Sequence, residues 1–196
     1  MSQLALSAPV NDLRTDTDLR NDSLPGLLIP PDPTDATEVA GALSPATLAG
    51  IAQSLAGQAE LWRPLLHVNV DRRWYTRLRT GDGWEAWLLT WLPGQGTDLH
   101  DHGGSAGAFT VLFGELAELT PAGTTAEPAR TATRVLRSPQ VRAFGPSHIH
   151  QVTGVGDTTA ASLHVYGPAL TVMNRYQLDP ATGPVLVETD RAGQDW

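Results

Sequence analysis

The pattern that most constrains this chain is a series of short strand-like segments between residues 73 and 178. Segments rich in branched and aromatic side chains, such as Trp84–Leu92, alternate with turns marked by glycine and proline. The Gly-Asp-Gly sequence at residues 81–83 is typical of a hairpin turn, and Pro93 begins another turn. Many short strands joined in this way predict an all-β domain, either a sandwich or a barrel.

Helix is predicted only before this series of strands. Ser44, followed by a proline, is a typical helix start, and Gly57 suits the end of that helix. Residues 58–66 predict a second short helix. Residues 1–35 are rich in Asp, Pro, Ser and Thr, a composition that predicts an irregular N-terminal arm. The remaining residues, 36–196, are enough for one domain with a sizeable core.

The composition excludes several kinds of chemistry. The 196 residues contain no cysteine and no lysine, which removes disulfides, thiolate ligands, Schiff bases and a Walker lysine. A formal net charge of −8 does not suit a nucleic-acid backbone. No apolar run is long enough to span a bilayer, and the N-terminus lacks a secretory signal pattern. We therefore expect a cytoplasmic protein without nucleic-acid, membrane or obligate protein partners. Any metal must be bound by carboxylates and the six histidines.

The most specific chemical signal is the His-Asp-His sequence at residues 100–102, which follows a glycine-rich turn. Alternate residues of a strand point to one side, so both imidazoles can reach one metal ion. Gly94 precedes the first histidine at the spacing of the first cupin motif, and Gly114 closes that motif. The segment therefore resembles a cupin, except that Gly107 stands at the acidic position. This resemblance implies a double-stranded β-helical barrel with an internal metal, preceded here by short N-terminal helices.

Two later segments place further polar side chains at strand spacing. His148 and His150 are two residues apart and offer two candidates for a third metal ligand. Ser162, His164 and Tyr166 also alternate, so their side chains share one strand face and each can hydrogen-bond the next. Such a row can orient a tyrosine hydroxyl toward a metal site.

Together these segments resemble the thiol dioxygenases, and specifically cysteine dioxygenase, over about residues 73 to 178. The resemblance implies one Fe(II) ion, bound by His100, His102 and His150. It also implies a catalytic relay that consists of Ser162, His164 and Tyr166. His150 is favoured as the third ligand because Val152 follows it, as in the family's His-x-Val pattern. His148 fits a second cupin pattern and stays an alternative third ligand.

The resemblance extends to the substrate. Tyr75-Thr-Arg77 matches family members that act on cysteine, in which the arginine binds the substrate carboxylate, so Arg77 and Tyr75 are expected to bind substrate. The alternative for Arg77 is a structural ion pair with a protein carboxylate, and Arg175 is a second candidate for anion contact. The implied reaction oxidises L-cysteine with O2 to cysteine sulfinic acid. Oxidation of 3-mercaptopropionate or another small thiol, a non-enzymatic metal-binding cupin and a three-histidine zinc hydrolase stay open as alternatives.

Overall fold

Strands make up most of the computed structural model, which describes residues 42–122 and 130–193. The arm expected over residues 1–35 lies outside these residues. The strands, in chain order, are β1 (Trp74–Gly81), β2 (Trp84–Trp91), β3 (Leu99–His100), β4 (Ala106–Phe113), β5 (Glu115–Ala122), β6 (Arg130–Arg137), β7 (Val141–Phe144), β8 (Gln151–Val155), β9 (Ala160–Gly167), β10 (Val172–Asp179) and β11 (Gly183–Arg191).

Two short helices precede the strands, as predicted. Helix α1 spans Pro45–Ala56, and the Oγ atom of its N-cap Ser44 accepts the backbone N–H of Thr47 at 3.1 Å. Helix α2 spans Ala59–Trp62 and continues into a 3-10 turn at Arg63–Leu65. Among the described residues, no helix is long and apolar enough to cross a bilayer.

The strands form three antiparallel sheets with the connectivity of a double-stranded β-helix. The largest sheet has the order β1-β2-β9-β4-β7, and the smaller sheets have the orders β6-β5-β8 and β11-β10-β3. Strand β9 pairs with both β2 and β4, so segments far apart in sequence are neighbours. An isolated antiparallel bridge between His100 and His150 links β3 to the start of β8. The predicted all-β barrel with short N-terminal helices is confirmed.

The apolar core forms one cluster that includes helix α1 and the five-stranded sheet. The helix buries Leu48, Ala52 and Leu55 and packs against β4, β7 and β9. Full burial of each leucine contributes about 1.5–3 kcal/mol, so this short helix is held mainly by its packing. Side chains alternate along β9, so Leu163 and Val165 point to the opposite face from the polar residues between them.

The chain before β8 differs from the strand spacing expected through His148 and His150. Strand β8 begins at Gln151, a turn at residues 146–147 precedes His148, and an isolated bridge pairs His150 with His100. Strand β5 continues to Ala122, because its last residues pair with Arg130 and its neighbours in β6.

Candidate metal centre and active site

Three buried histidines converge at one end of the barrel. His100 lies in β3, His102 follows that strand, and His150 directly precedes β8. The backbones of His100 and His150 exchange two N–H···O bonds of 2.9 Å, which fixes the two side chains beside each other. One potential ligand atom from each of the three histidines lies within 4.8 Å of the others. The structure therefore brings together the three residues expected to bind the metal.

The hydrogen bonds of these rings leave one nitrogen of each free to bind a metal. The Nδ1–H of His100 donates to the carbonyl of Asp98 at 2.9 Å, and the Nδ1–H of His150 donates to Glu118 Oε1 at 3.0 Å. Each of these bonds leaves Nε2 as a lone-pair donor. Both ring nitrogens of His102 are buried without a hydrogen-bond partner in the described residues. A buried unpartnered imidazole is rare in folded proteins, and a metal ion at this cluster would satisfy it.

Burial also keeps the three rings in the protonation state that metal binding requires. Desolvation lowers the pKa of His100, His102 and His150 below the usual value, and charge repulsion among neighbouring imidazoles lowers it further. The rings are therefore neutral near pH 7, with lone pairs available for a cation. The donor set fits a divalent transition metal, for which imidazole is a preferred ligand.

The cluster has no carboxylate at the position where a cupin normally supplies one. A Cβ atom at Gly107 would lie 2.4 Å from ring atoms of Phe144 and 3.0 Å from Tyr166 Cδ1. The Phe144 ring stacks on the ring of His102, with centroids 4.8 Å apart. This aromatic ring fills the space that an acidic side chain would need, so the three histidines face the metal position without an acidic neighbour at Gly107.

A carboxylate lies behind the cluster instead. Glu118 is 2% exposed, and its Oε1 accepts hydrogen bonds from His150 Nδ1 and, at 2.9 Å, from His148 Nε2. Its other oxygen, Oε2, accepts a bond of 2.9 Å from Arg142 Nε. Burial alone would raise the pKa of Glu118, but these hydrogen bonds and the nearby charges outweigh it and hold the pKa far below the usual range.

His148 lies beside His150, with ring centroids 4.9 Å apart, but it is not one of the three histidines whose potential ligand atoms come together. Its ring stacks on Phe144, with centroids 4.8 Å apart, and its Nε2 is engaged by Glu118. His148, His150 and Glu118 do form a second group whose potential ligand atoms are close together. In that group, however, Glu118 already accepts hydrogen bonds from both imidazoles and from Arg142, which explains it without a second metal.

The expected relay residues form a continuous hydrogen-bonded row along β9. The Nε1–H of Trp91 donates to Ser162 Oγ at 2.9 Å, Ser162 Oγ lies 3.0 Å from His164 Nε2, and His164 Nδ1 lies 3.2 Å from Tyr166 OH. The tryptophan N–H can only donate, so the hydrogens of Trp91, Ser162 and His164 are all used when serine donates to histidine and histidine donates to tyrosine. The tyrosine hydroxyl hydrogen then stays available for a molecule in the cavity.

The pKa values of the relay agree with this direction of hydrogen bonding. Desolvation lowers the pKa of His164 well below its usual value, so its ring is neutral and carries one N–H. Desolvation raises the pKa of Tyr166 above its usual value, so its hydroxyl stays protonated. The Tyr166 ring lies 4.9 Å from the His102 ring, centroid to centroid, which places the tyrosine ring beside the metal cluster.

A cavity of about 710 Å³ opens beside the metal cluster and the relay. Residues of both sites line it, together with one expected substrate residue: His100, His150, His164, Tyr166 and Tyr75. Arg77 does not line the cavity among the described residues. Its guanidinium lies 5.8 Å from the centroid of the Trp87 ring and 3.7 Å from Glu85 Oε2. The structure therefore places Arg77 in the structural ion pair that the sequence left as the alternative.

The second expected anion contact is also neutralised by the protein. Arg175 lines the cavity, but its guanidinium binds Asp190 Oδ2 at 2.6 Å and Asp98 Oδ2 at 2.8 Å. The hydrogen bonds that Arg175 donates to these carboxylates outweigh its partial desolvation and raise the pKa of Arg175. Arg73 also lines the cavity, with its Cζ atom 5.0 Å from the Trp91 ring centroid, and the sequence interpretation did not single it out.

Sequence reasoning also missed Glu118. A signal was present, because Leu116 and Glu118 are two residues apart on β5 and therefore share a strand face. An acidic residue on the buried face of an apolar strand needs partners, and histidines or arginines supply them. For Arg73 the signal was weaker, since it lies just before β1 and strand alternation could not define its direction.

Comparisons with known proteins find solved structures that are similar over part of the chain. Similar solved structures include the TT1209 protein of Thermus thermophilus, 20% identical with a TM-score of 0.46, covering 55% of this chain and 93% of its own. An uncharacterised Klebsiella pneumoniae protein with a double-stranded β-helix domain is 15% identical with a TM-score of 0.47, covering 64% of this chain and 93% of its own. A recombinant oxalate oxidase in complex with glycolate is 19% identical with a TM-score of 0.43, covering 51% of this chain and 53% of its own. No curated protein matches the chain significantly.

The family model of cysteine dioxygenase type I matches residues 41–179, which include both helices, the three clustered histidines and the Ser-His-Tyr row. The match covers most of the chain and the whole of the cavity except Asp190. The chain therefore belongs to the cysteine dioxygenase type I family of cupin-type metal-dependent oxidoreductases.

Proposed function

We propose that the protein is an Fe(II)-dependent thiol dioxygenase that oxidises L-cysteine with O2 to cysteine sulfinic acid. One observation supports this best: a cluster of three neutral histidines shares a cavity with the hydrogen-bonded row that ends at Tyr166. Three neutral ligands leave the charge of a divalent ion uncompensated, which favours binding of an anionic substrate atom such as a thiolate. A small thiol and O2 are the only partners that this reaction needs.

The overall reaction is balanced without an external reductant. A thiol R–SH and O2 give the sulfinate R–SO2⁻ and one proton, so sulfur is oxidised and both oxygen atoms are reduced. When bound by the histidines, iron(II) would supply the coordination positions and the electron transfer that bring the sulfur and O2 together.

The protein's own contribution is to hold a hydrogen-bond donor at a fixed place beside the reacting atoms. Tyr166 is 7% exposed, and its high pKa keeps its hydroxyl protonated while oxygen atoms acquire negative charge. The hydrogen bond from His164 fixes the direction of that hydroxyl, and Trp91 fixes Ser162 and thereby the histidine tautomer. A donor held in a largely water-free site needs no reorganisation when charge develops, which is where such groups are most effective.

The alternative functions differ in what the cavity must provide. A hydrolase using three histidines and a bound water would need a free general base. Among the described residues, the carboxylates that line the cavity are Asp98 and Asp190; both are bound to Arg175, so neither is a free carboxylate base. A dioxygenase for 3-mercaptopropionate or another small thiol would use the same metal cluster, and a binding cupin would use it without turnover.

Oxygen consumption by the iron-loaded protein tests the proposal and separates these alternatives. The panel is cysteine, 3-mercaptopropionate, cysteamine and mercaptosuccinate, with zinc-loaded protein as the control. We expect cysteine to consume O2 and to yield the sulfinate, with no consumption by the zinc form. Faster turnover of 3-mercaptopropionate would replace cysteine by that substrate, and no uptake with any thiol would support the non-enzymatic cupin.

A further inference from the structure

His102 differs from the two other clustered histidines in how its ring is held. His100 donates a ring N–H to the carbonyl of Asp98, and His150 donates one to Glu118. Among the residues that the structure describes, neither ring nitrogen of His102 has a hydrogen-bond partner, although the residue is only 1% exposed. A metal-binding histidine ordinarily donates its second ring N–H, and that bond fixes the orientation of the ring. The His102 ring is therefore oriented by its packing.

Aromatic rings surround His102. Phe144 is fully buried and lies nearly parallel to it, with ring centroids 4.8 Å apart and an interplanar angle of 21°. The ring of Tyr166 lies 4.9 Å away at 35°, and the imidazoles of His100 and His150 meet it edge-on at 5.0 and 5.1 Å. The torsion that rotates an imidazole about its Cβ–Cγ bond is broad, so packing decides where the ring settles. Of these neighbours, Phe144 lies most nearly parallel to the His102 ring, and it belongs neither to the metal ligands nor to the relay.

The position of Phe144 depends on Gly107. The two residues are paired between β4 and β7, and a Cβ atom at residue 107 would lie 2.4 Å from Phe144 Cε2 and Cζ. Real Cβ atoms do not approach other heavy atoms so closely, so a side chain at this position would displace the ring. The imidazole of His148 also stacks on Phe144, with centroids 4.8 Å apart. Glycine at residue 107 thus leaves the space in which the Phe144 ring lies against His102.

We infer that Phe144 is a positioning residue of the metal centre, whose ring occupies the space left by Gly107 and orients His102 in place of a hydrogen bond. This inference rests on metal binding by the three histidines, which the proposed function also requires, and not on the identity of the thiol. The aromatic contact restricts rotation of the His102 ring before a metal binds, so less conformational freedom is lost on binding. Phe144 has no ligand atom, so it acts only through the imidazole that it contacts.

Titration of the metal-free protein with Co(II) tests this inference without turnover. The visible absorption of bound Co(II) depends on the number and arrangement of its ligands, so it reports whether His102 still binds. Phe144→Leu removes the ring and should weaken Co(II) binding about two- to tenfold, the range expected for one aromatic contact, and should change the absorption. Leu78→Ala, which truncates a fully buried core side chain on β1, is the matched control and should change neither the affinity nor the absorption.

Gly107→Ala supplies an independent way to displace the same ring. In the wild-type background the added methyl group would meet Phe144 Cε2 and Cζ, so it should also weaken Co(II) binding. Leucine lacks both atoms, so Gly107→Ala should cost less affinity when it is combined with Phe144→Leu. The approach of the methyl group to Tyr166 Cδ1, at 3.0 Å, is common to both backgrounds. Strictly additive effects would overturn the inference. Phe144→Met, which also lacks the ring, takes the place of Phe144→Leu in this cycle if that variant fails to fold.

The outcomes separate this inference from the proposed function. If the wild-type protein binds Co(II) and folded Phe144→Leu binds it with the same affinity and absorption, or loses no more affinity than Leu78→Ala, this inference alone is wrong. If the wild-type protein binds no Co(II), the metal centre and both proposals are wrong. If Co(II) binding depends on Phe144 as expected but the iron-loaded protein oxidises no thiol, the dioxygenase proposal is wrong and the positioning role of Phe144 stands.

Discussion

Replacing Glu118 by glutamine tests how the protein fixes its metal ligands. The carboxylate accepts three hydrogen bonds from cationic or polar donors: His148 and His150 on Oε1 and Arg142 on Oε2. Glutamine is nearly the same size but has one acceptor oxygen and one NH2 group. If its oxygen faces the histidines, its NH2 opposes the Arg142 N–H; if it is turned around, its NH2 opposes His150 Nδ1–H.

The expected loss of stability in Glu118→Gln depends on how deeply the ion pair between Glu118 and Arg142 is buried. The side chains of Glu118 and Arg142 are 2% and 10% exposed, so removing the negative charge takes the carboxylate away from a buried guanidinium. Breaking such a pair costs about 3–5 kcal/mol of unfolding free energy, which lowers Tm by roughly 6–20 °C for a domain of this size. Losing the acceptor behind a metal-binding histidine typically costs about 10- to 100-fold in metal affinity, and we expect that loss here.

The assay combines thermal unfolding of the metal-free protein with metal titration at a temperature at which both proteins are folded. Glu115→Gln is the matched control, because Glu115 lies on the same strand and binds Arg137 through two bonds of 2.7 and 2.8 Å at the exposed surface. An exposed pair of this kind contributes about 0–1 kcal/mol. Equal destabilisation by the two substitutions would show that the buried ion pair of Glu118 contributes no more than an exposed one. Wild-type metal affinity in folded Glu118→Gln would show that Glu118 does not support the metal-binding histidine.

Three further predictions concern the metal, the relay and pH. His150→Ala should lose most bound iron, whereas His148→Ala should retain it because that ring contacts Glu118 instead; elemental analysis of the purified variants decides, and the reverse result would exchange their roles. Tyr166→Phe should keep its iron and lose turnover, since only a hydroxyl hydrogen-bonded to His164 is removed; loss of iron would argue against the relay. Acidification should destabilise the metal-free protein, because histidines with lowered pKa values stay neutral when folded and take up protons when unfolded. The free energy of unfolding therefore falls as the pH drops below about 6.5, by up to about 4 kcal/mol per pH unit for three such residues. Denaturant titrations at several pH values measure this free energy. A free energy of unfolding that does not change with pH would contradict neutral burial of His100, His102 and His164.

Local signals were enough to predict the helix start and most strands. Ser44 and Gly57 fix the ends of α1 through capping, which depends only on neighbouring residues. Side chains along the barrel strands point alternately to the core and to the cavity, so the two-residue period of a strand is visible in the sequence. Strand β11 lacks that signal, because Val185, Leu186 and Val187 are consecutive apolar residues that are all exposed on it. Strand β3 is only two residues long, so the strand expected through His100 and His102 ends at His100, and His102 lies beyond it.

The site was predictable where chemistry and strand spacing coincide. Alternation within short segments, together with the family resemblance, predicted the metal histidines and the row ending at Tyr166. The position of the Arg77 guanidinium was not predictable in this way, because Tyr75 and Arg77 share a strand face but a long guanidinium can turn along the strand. Its partner Glu85 lies on the neighbouring strand β2, and the sequence alone does not reveal that pairing register.

The proposed reaction transfers both atoms of O2 to a thiol sulfur at this metal cluster. Turnover of cysteine under ¹⁸O2, followed by mass spectrometry of the product, tests it most directly, with 3-mercaptopropionate measured in parallel. We predict a sulfinate that carries two labelled oxygen atoms, formed by the iron-loaded protein and not by its zinc form. A sulfinate with one labelled atom, or oxygen consumption that yields only disulfide, would contradict the transfer of both oxygen atoms to sulfur.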